Sequence, residues 1–519
     1  MVKSMGGLIR TMVVWGLLNV VVAQALAMNP LPDTGQATCY DRSGTMDCPD
    51  AGEAFFGQDA HYRGNAMAYE NNGNGTVTDQ VTGLTWSRAV DAKKVSLDEA
   101  RILARQLRLG GHRDWRVPNI KELYSLMDFR GYTGAVRPGQ NGRVPGAIPF
   151  INTDYFNFKY GDTGKGERFI DAQWLSTTTY VSTTMDGNPT LFGVNFADGR
   201  IKGYGYGRSR GPRGEKKFYV RFVRGPAFGE NDFQDNGDNT ITDTTTGLMW
   251  ARQDSVKPMS WEKALAWAEA STLAGYTDWR LPNAKELQFI VDYTRSPDTT
   301  DSPALDPIFK ATPIKNEIGQ RDFAHYWTST THLDRPRQGN SAVTICFGRA
   351  LGKMHGRVMD VHGAGAQRSD PKAGKDRLGR GPQGDARRGR NMVRLVRGGG
   401  VVSDPMPRKS QGRGYPFRVQ VDSGFDARVT GREWSEPDPH KGVRHHRIKG
   451  GVNVGGGPEH GPPGRDAFIQ RLDRDGDRRV SPAEFDGPAR HFNVFDRNSD
   501  GYISRDEAPT GAPLGMTPP

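Results

Sequence analysis

The spacing of apolar positions changes along this chain, and the same changes occur twice. Turns rich in asparagine and glycine lead into alternating stretches at 76–78 and 240–242, which predict hairpin strands. Tryptophans follow both stretches, at Trp86 and Trp250. Each stretch therefore predicts the start of an antiparallel sheet.

Two amphipathic helices follow each of these strands. The first begins at Ser96, where Glu99 completes a capping box, and its counterpart begins at Ser260. The second begins at Asn119 and again at Asn283, each with a glutamate three residues later. Strands rich in serine and threonine then close the pattern. The sequence predicts an α+β fold, with two helices packed on an antiparallel sheet.

The two halves are copies of one domain. Three motifs return at a constant spacing, since 236 − 72, 250 − 86 and 279 − 115 all equal 164. Further on, Trp174 matches Trp327, because serines and threonines follow both in the same order. This regularity predicts two tandem domains, 60–226 and 227–398. The motifs of the first copy are Thr82-Gly83-Leu84-Thr85-Trp86, Asp114-Trp115-Arg116-Val117-Pro118-Asn119, Lys121-Glu122-Leu123 and Val220-Arg221-Phe222-Val223-Arg224-Gly225.

Composition adds a basic character to these domains. The chain has 519 residues, 35% of them hydrophobic, and a net charge of 70 − 59 = +11, which favours acidic partners. Residues 351–397 include 12 Lys/Arg and 4 Asp/Glu, a net of +8. The second copy is longer near 361–390, and a long glycine-rich loop is usually functional or disordered. The arginines of 351–397 are therefore candidate contacts for an anionic polysaccharide.

The first 27 residues have the features of a secretory signal peptide. Lys3 and Arg10 precede an apolar stretch at 12–23, and Ala25-Leu26-Ala27 provides small residues for cleavage. A membrane anchor is the alternative, but about 20 apolar residues are needed to span a bilayer. We expect cleavage, no transmembrane segment, and export across the inner membrane to the periplasm or the cell surface.

Export affects how the three cysteines are interpreted. Cys39 and Cys48 flank a turn in the N-terminal segment 28–59, and they predict a hairpin disulfide in an oxidising compartment. Cys346 lies in an apolar run typical of a strand, so we expect a buried, inert thiol rather than a reactive one.

A linker is predicted after the second copy, over residues 399–465. From 398 to 465 there are 15 Gly and 8 Pro, a composition typical of linkers. Four histidines in it raise the alternative of a metal site, but scattered histidines in a solvated linker favour no site. They are His440, His445, His446 and His460.

The strongest chemical motif is an acidic loop near the C-terminus. Residues 496–507 have the pattern of a twelve-residue EF-hand calcium loop, with oxygen ligands at alternate positions and Gly501 at the sharp turn. Ile503 at its eighth position suits a short strand that pairs with a second loop. The predicted ligands are Asp496, Asn498, Asp500, the carbonyl of Tyr502 and Glu507, with Ser504 acting through water.

A second acidic loop, residues 473–484, precedes it within the predicted EF-hand pair, a small all-α module at 466–510. Its sixth position is Arg478 where glycine is preferred, so we expect a left-handed, strained residue and a weaker calcium site. The alternative is that this loop only supports its neighbour. Its ligands would be Asp473, Asp475, Asp477, the carbonyl of Arg479 and Glu484; residues 511–519 form a tail.

The repeated motifs resemble the Lcl C-terminal domain family, over roughly residues 35–398. That family takes its name from a bacterial collagen-like adhesin and was long a domain of unknown function. The resemblance implies binding of sulfated glycosaminoglycans, although this chain has no collagen-like repeat. The Trp-Arg-x-Pro segments also resemble C-type-lectin-like domains, including the formylglycine-generating enzymes. The spacing of the EF-hand loops resembles the compact modules of secreted bacterial proteins, in which calcium is structural.

Three classes of function follow. The favoured one is a secreted calcium-binding protein whose duplicated domains bind an anionic polysaccharide or another surface ligand; the second is a structural module of a cell-envelope complex. An enzyme is not favoured, since a formylglycine-generating site would need a cysteine pair and only Cys346 lies in the repeats. Capping and ion pairing, rather than catalysis, are expected of Arg116 with Glu122 and of Arg280 with Glu286. No nucleic acid partner is expected.

Overall fold

The chain divides into two units, Met1–Arg432 and Glu433–Pro519, in this computed structural model. The two predicted domains thus lie within one unit, and the predicted linker crosses the division. The predicted signal peptide, the linker from residue 404 onward and the tail lie outside the described residues. The structure describes residues 29–89, 93–134, 144, 146–207, 215–334, 339–379, 381, 384–403, 469, 472–473, 477–481 and 502–505.

In the described part of the first unit, antiparallel strands and four α-helices are the main regular elements. The N-terminal segment has β1 (Cys39–Tyr40) and β2 (Thr45–Met46), and β3 (Tyr62–Arg63) follows at the start of the first copy. The first copy has β4 (Tyr69–Asn71), β5 (Thr76–Asp79), β6 (Thr85–Ser87), α1 (Leu97–Gln106), α2 (Ile120–Ser125), β7 (Gln173–Thr184), β8 (Asn188–Asn195), β9 (Arg200–Gly205) and β10 (Val223–Arg224). The second copy has β11 (Phe233–Asp235), β12 (Thr240–Asp243), β13 (Leu248–Ala251), α3 (Trp261–Glu269), α4 (Ala284–Phe289), β14 (Pro313–Lys315), β15 (Arg321–Phe323), β16 (His325–His332), β17 (Ser341–Cys346), β18 (Leu351–Met354), β19 (Arg357–Asp360), β20 (Gln367–Pro371) and β21 (Val396–Gly398), followed by β22 (Val402–Ser403).

The predicted capping boxes are present where the helices begin. Ser96 accepts a hydrogen bond from the N–H of Glu99, whose carboxylate accepts one from Ser96 N–H at 2.8 Å. Asn119 caps α2 and Asn283 caps α4 in the same reciprocal way. Because these bonds satisfy N–H groups that a helix cannot satisfy itself, they fix where each helix starts.

Each copy contributes an equivalent four-stranded antiparallel sheet. Their strand orders are β10-β6-β5-β4 and β11-β12-β13-β21. Trp86 and Trp250 lie in the middle of these sheets and are fully buried. The predicted duplication and the α+β combination of antiparallel strands with two helices per copy are therefore confirmed.

The two copies share one larger sheet and the main core cluster. The order of this sheet is β16-β17-β20-β9-β8-β7, so strands of the second copy continue those of the first. Antiparallel pairing of Gln367 with Ile201 forms the junction. The junction pairs β20 with β9, two strands that would otherwise lie at the edges of separate sheets. The two copies therefore form one continuous sheet. Buried apolar residues from both copies form the main core cluster.

The sequence match of Trp174 with Trp327 is wrong by one residue. Trp174 bridges Tyr219 in parallel, and the residue that makes the equivalent bridge, to Met392, is Tyr326. Trp327 packs instead in the smaller core cluster beneath α3. Neighbouring strand residues point to opposite faces, so a shift of one residue exchanges the two sides of the sheet.

The extra length of the second copy lies earlier than predicted. Residues 196–199 connect β8 to β9, whereas residues 347–366 connect β17 to β20 and contain the β18–β19 hairpin. The expected loop near 361–390 includes the central strand β20, in which residues 367–370 are buried. The prediction relied on glycine and arginine content, which does not show that residues 367–371 form a strand. This strand, β20, pairs with β17 on one side and with β9 on the other.

The N-terminal hairpin of β1 and β2 is closed by a disulfide between Cys39 and Cys48, as predicted. Lys372 of the second copy donates a hydrogen bond to the carbonyl of Tyr40 at 2.9 Å, and its ammonium lies 3.9 Å from the ring centroid of Trp261. The hairpin is thus fastened to the second copy. Among the described residues, no helix has the length and apolar character to cross a membrane.

Candidate functional site

The two acidic loops of the second unit are joined by their eighth residues. Val480 N–H donates to the carbonyl of Ile503 at 3.0 Å, and Ile503 N–H donates back at 2.9 Å. Both side chains are fully buried. This antiparallel bridge is the strand pairing that the loop pattern predicts.

The turn of the first loop has the predicted left-handed residue. Arg478 has a φ of 65°, a conformation that glycine adopts without strain. Its N–H donates to Asp473 Oδ2 at 2.8 Å, so the first carboxylate of the loop is tied to the turn. Arg479 N–H donates to Asp477 Oδ1 at 2.8 Å. The backbone thus curls around the carboxylates of Asp473 and Asp477.

Four of the ten predicted ligand residues are described, namely Asp473, Asp477, Arg479 and Tyr502. Helical residues Ile469 and Leu472 precede the first loop and are buried. The other six ligands, outside the described residues, are Asp475, Glu484, Asp496, Asn498, Asp500 and Glu507.

The arginine–glutamate pairs of the repeated motif are structural. Arg116 donates two hydrogen bonds to Glu122, both at 2.6 Å, and Arg280 pairs with Glu286 at 2.7 and 2.6 Å. The Arg116 side chain is 38% exposed, but that of Arg280 is only 4% exposed. Each glutamate also accepts from its capping asparagine's N–H. The predicted capping and ion pairing are confirmed.

Of the eight arginines of the basic segment 351–397 that the structure describes, two are buried, three are partly buried and three are exposed. Arg368 is buried beside Asp385, and Arg394 is buried with its guanidinium on the carbonyls of Ala251 and Arg252. Arg388 pairs with Glu317. These three side chains are paired within the fold, so the expectation that they contact a polysaccharide is wrong for them. It stays a prediction for the exposed Arg357, Arg377 and Arg390. The physical reason is that the net charge of a segment does not reveal which of its arginines form ion pairs or hydrogen bonds inside the fold.

An exposed arginine stripe lies instead on the first copy. We define it as Arg101, Arg105, Arg108 and Arg113, all exposed. Arg101 and Arg105 lie on α1, away from its buried face of Leu97, Ala100 and Ala104, and the other two follow the helix in sequence. Arg101 pairs with Asp98, but none of the described carboxylates forms an ion pair with Arg105, Arg108 or Arg113. The sequence signal for this stripe was the recurrence of arginine at positions 101, 105 and 108, which the sequence analysis did not use.

A cleft of about 470 Å³ lies between the two copies. Lys121 and Thr178 of the first copy form one wall, and Asp292 and Tyr293 of the second form the other. Lys121 Nζ donates to Asn231 Oδ1 at 2.9 Å. Burial lowers the pKa of Lys121 to about 8, although nearby carboxylates oppose the shift. The cleft therefore combines an ammonium, a hydroxyl and aromatic surface.

Cys346 is fully buried in β17, as predicted. Burial raises the pKa of its thiol far above the ordinary value, which argues against an accessible nucleophile. Cys39, Cys48 and His61 have possible metal-ligand atoms within 4.8 Å of one another, but the two sulfurs are joined to each other. His61 Nε2 also lies 3.0 Å from the carbonyl of Pro49.

Comparison with known families agrees with this architecture. The model of the Lcl C-terminal domain matches residues 75–224 and 239–361, just over half of the chain. The chain belongs to the Lcl C-terminal domain family, and it has two copies of the domain in tandem. No curated protein and no solved structure matches it.

Proposed function

We propose that this is an exported calcium-binding protein, and that its second unit is an EF-hand pair. The observation that carries the proposal is the backbone bridge between Val480 and Ile503, which joins the two acidic loops at their eighth positions. The Arg478 N–H bonded to Asp473 adds a turn of the shape that a calcium loop requires.

The chemistry of the two loops fits calcium. All predicted ligands are oxygens, which hard divalent cations prefer, and a glutamate at the twelfth position can bind through both oxygens. We infer that the loop with Gly501 binds more tightly than the loop with Arg478. Extracellular modules bind at about 10⁻⁴–10⁻³ M, so external calcium would fill both sites and act structurally.

Export is part of the same proposal. The signal peptide features at 1–27 indicate translocation, and the Cys39–Cys48 disulfide suits an oxidising compartment. We also propose that the two duplicated domains are C-type-lectin-like in fold.

Calorimetric titration with calcium of the mature chain tests the site assignment. Asp496→Ala should abolish the tighter binding event, and Asp473→Ala should abolish the weaker one while the tighter event stays detectable. Asp376→Ala, at an exposed carboxylate of the first unit, is the matched control. An unaltered isotherm for both loop variants would refute the proposal.

We further propose that the first unit binds an anionic polysaccharide through the arginine stripe. The exposed guanidinium groups of Arg105, Arg108 and Arg113 form no ion pair with a described carboxylate, so they are available to form bidentate bonds with sulfate or carboxylate groups. The alternative is that the fused domains are a structural module of a cell-envelope complex and have no polysaccharide ligand.

Binding to dextran sulfate, with neutral dextran as the reference, separates these alternatives. Arg105→Ala with Arg108→Ala should weaken binding about tenfold or more. Lys353→Ala with Lys375→Ala removes the same charge from exposed positions of the second copy, and it should have a smaller effect. Equal losses would indicate attraction by net charge alone, and no binding by the parent would favour the structural module.

A further inference from the structure

Lys121 and Lys285 are equivalent residues of the two copies, but their surroundings differ. They lie 285 − 121 = 164 positions apart, on α2 and α4. Each reaches across to the other copy: Lys121 Nζ donates to Asn231, and Lys285 Nζ lies 3.4 Å from Met67 Sδ. Asn231 and Met67 are themselves 164 positions apart. The contacts between the copies are therefore reciprocal.

At Lys285, the N-terminal segment of the chain fills the space between the copies. Lys285 Nζ donates to the carbonyl of Asp33 at 2.8 Å. Phe129 N–H donates to the carbonyl of Thr34 at 2.9 Å. The Thr330 hydroxyl donates to Asp59, a residue of the same N-terminal segment. The backbone carbonyls of Asp33 and Thr34 are thus bound by the Lys285 ammonium and the Phe129 N–H.

The cleft at Lys121 contains the equivalents of the Lys285 ammonium, the Phe129 N–H and the Thr330 hydroxyl. Tyr293 stands 164 positions after Phe129, and among the described residues no acceptor is found for its N–H. Thr178 Oγ1 accepts from Ile120 N–H at 3.0 Å, as Thr330 Oγ1 accepts from Ala284 N–H at 3.0 Å. The walls of the two grooves are therefore built alike.

Tyr293, which lines the Lys121 groove, is held in place by hydrogen bonds to its hydroxyl group. The Tyr293 hydroxyl donates to the carbonyl of Gly365 at 3.0 Å and accepts from Gln288 at 3.0 Å, so the ring is held as a wall. Glu230, Asp292 and Asp306 line the cleft as well. Their carboxylates would favour a ligand with basic or neutral side chains outside the gripped backbone.

We propose that this cleft binds an extended peptide segment of another protein, in the way that the Lys285 groove holds Asp33 and Thr34. The Lys121 ammonium would bind one backbone carbonyl of the peptide, Tyr293 N–H a second, and the Thr178 hydroxyl a polar side chain. Each chain has one Asp33–Thr34 stretch, and it is already seated at Lys285. The described part of the chain offers no second such stretch to the Lys121 groove, so we assign its occupant to another protein.

Fluorescence anisotropy on the full mature chain tests the proposal, with a labelled peptide of residues 29–37 that carries Asp33→Asn and so has no acidic side chain. The peptide should bind, and a scrambled peptide of the same composition should not. Lys121→Met should weaken binding at least tenfold, because it removes a charged donor to a carbonyl. Thr178→Val should weaken it less, and Lys353→Met, at an exposed lysine of the β18–β19 hairpin, should leave it unchanged.

Three outcomes would overturn the proposal. The first is no binding of the peptide at millimolar concentration. The second is equal binding by Lys121→Met whose melting temperature matches the parent, since the peptide would then sit elsewhere. The third is a dimer in sedimentation velocity that Lys121→Met dissociates, which would assign the groove to the N-terminal segment of a second copy.

Discussion

Val480 and Ile503 exchange both of their backbone hydrogen bonds, at 3.0 and 2.9 Å. This bridge fixes the two acidic loops side by side, although 23 residues of sequence separate them (503 − 480). Backbone pairing at the eighth positions means that ordering one loop helps to order the other. If both loops bind calcium, their binding should therefore be coupled.

Replacing Arg478 by glycine should strengthen the first loop. A left-handed non-glycine residue costs about 1–2 kcal/mol, so relief of this strain corresponds to roughly tenfold in affinity. Calcium titration of Arg478→Gly in an Asp496→Ala background measures the first loop alone. Arg479→Gln is the control, since it removes an adjacent charge at a residue that is outside the left-handed region. A larger gain for Arg479→Gln would show that charge, rather than strain, limits this loop.

Removing Arg280 should destabilise the fold more than removing the equivalent Arg116. Both arginines bind a buried glutamate, but the Arg280 side chain is 4% exposed and that of Arg116 is 38% exposed. Without Arg280, the charge of Glu286 is left buried and unpaired, at a cost of about 3–5 kcal/mol. Water can replace Arg116, so Arg116→Ala should cost about 1–2 kcal/mol.

Urea unfolding of the two alanine variants gives this comparison, and each copy serves as the control for the other. Equal losses of unfolding free energy would contradict the difference in burial.

Glu269 should make the fold less stable as the pH rises through neutrality. Burial raises the pKa of Glu269 to about 7 from an ordinary 4.5, with Tyr62 and Arg280 opposing the shift. The folded state therefore holds this proton at a pH where the unfolded chain releases it. The resulting stabilisation is complete below about pH 4.5 and is lost as the pH rises to about 7, amounting to about 1–3 kcal/mol.

Glu269→Gln should remove that loss, because the amide keeps the size of a protonated carboxyl and still accepts from Tyr62. Unfolding free energies at pH 5 and pH 8 test this. The variant should gain on the parent at pH 8 relative to pH 5, whereas Glu262→Gln, on the same helix, should not. A parallel pH dependence of the parent and Glu269→Gln would exclude this carboxyl as the cause.

Local signals allowed much of the fold to be predicted from sequence. The capping boxes at Ser96, Asn119 and Asn283 and the duplication itself depend on residues close together in the chain. The fused sheet could not be predicted in this way, because the pairing of Ile201 with Gln367 joins strands 166 residues apart (367 − 201). No local pattern specifies which edges will meet.

The candidate sites were predictable to different degrees. Both EF-hand loops could be proposed because their ligands are contiguous in sequence. The Lys121 groove could not be predicted, since Lys121 and Tyr293 come from different copies and are brought together only by the fold. Trp174 and Trp327 show the same limit: identical local motifs settled on opposite faces of their strands, since packing decides the register.

The most direct test of the central claim is a count of bound calcium. Equilibrium dialysis of the mature chain at millimolar calcium, followed by elemental analysis, should give two ions per chain. The count should fall to one for Asp496→Ala and to none for Asp496→Ala with Asp473→Ala. A parent chain that retains no calcium, or a double variant that still retains two ions, would contradict the account.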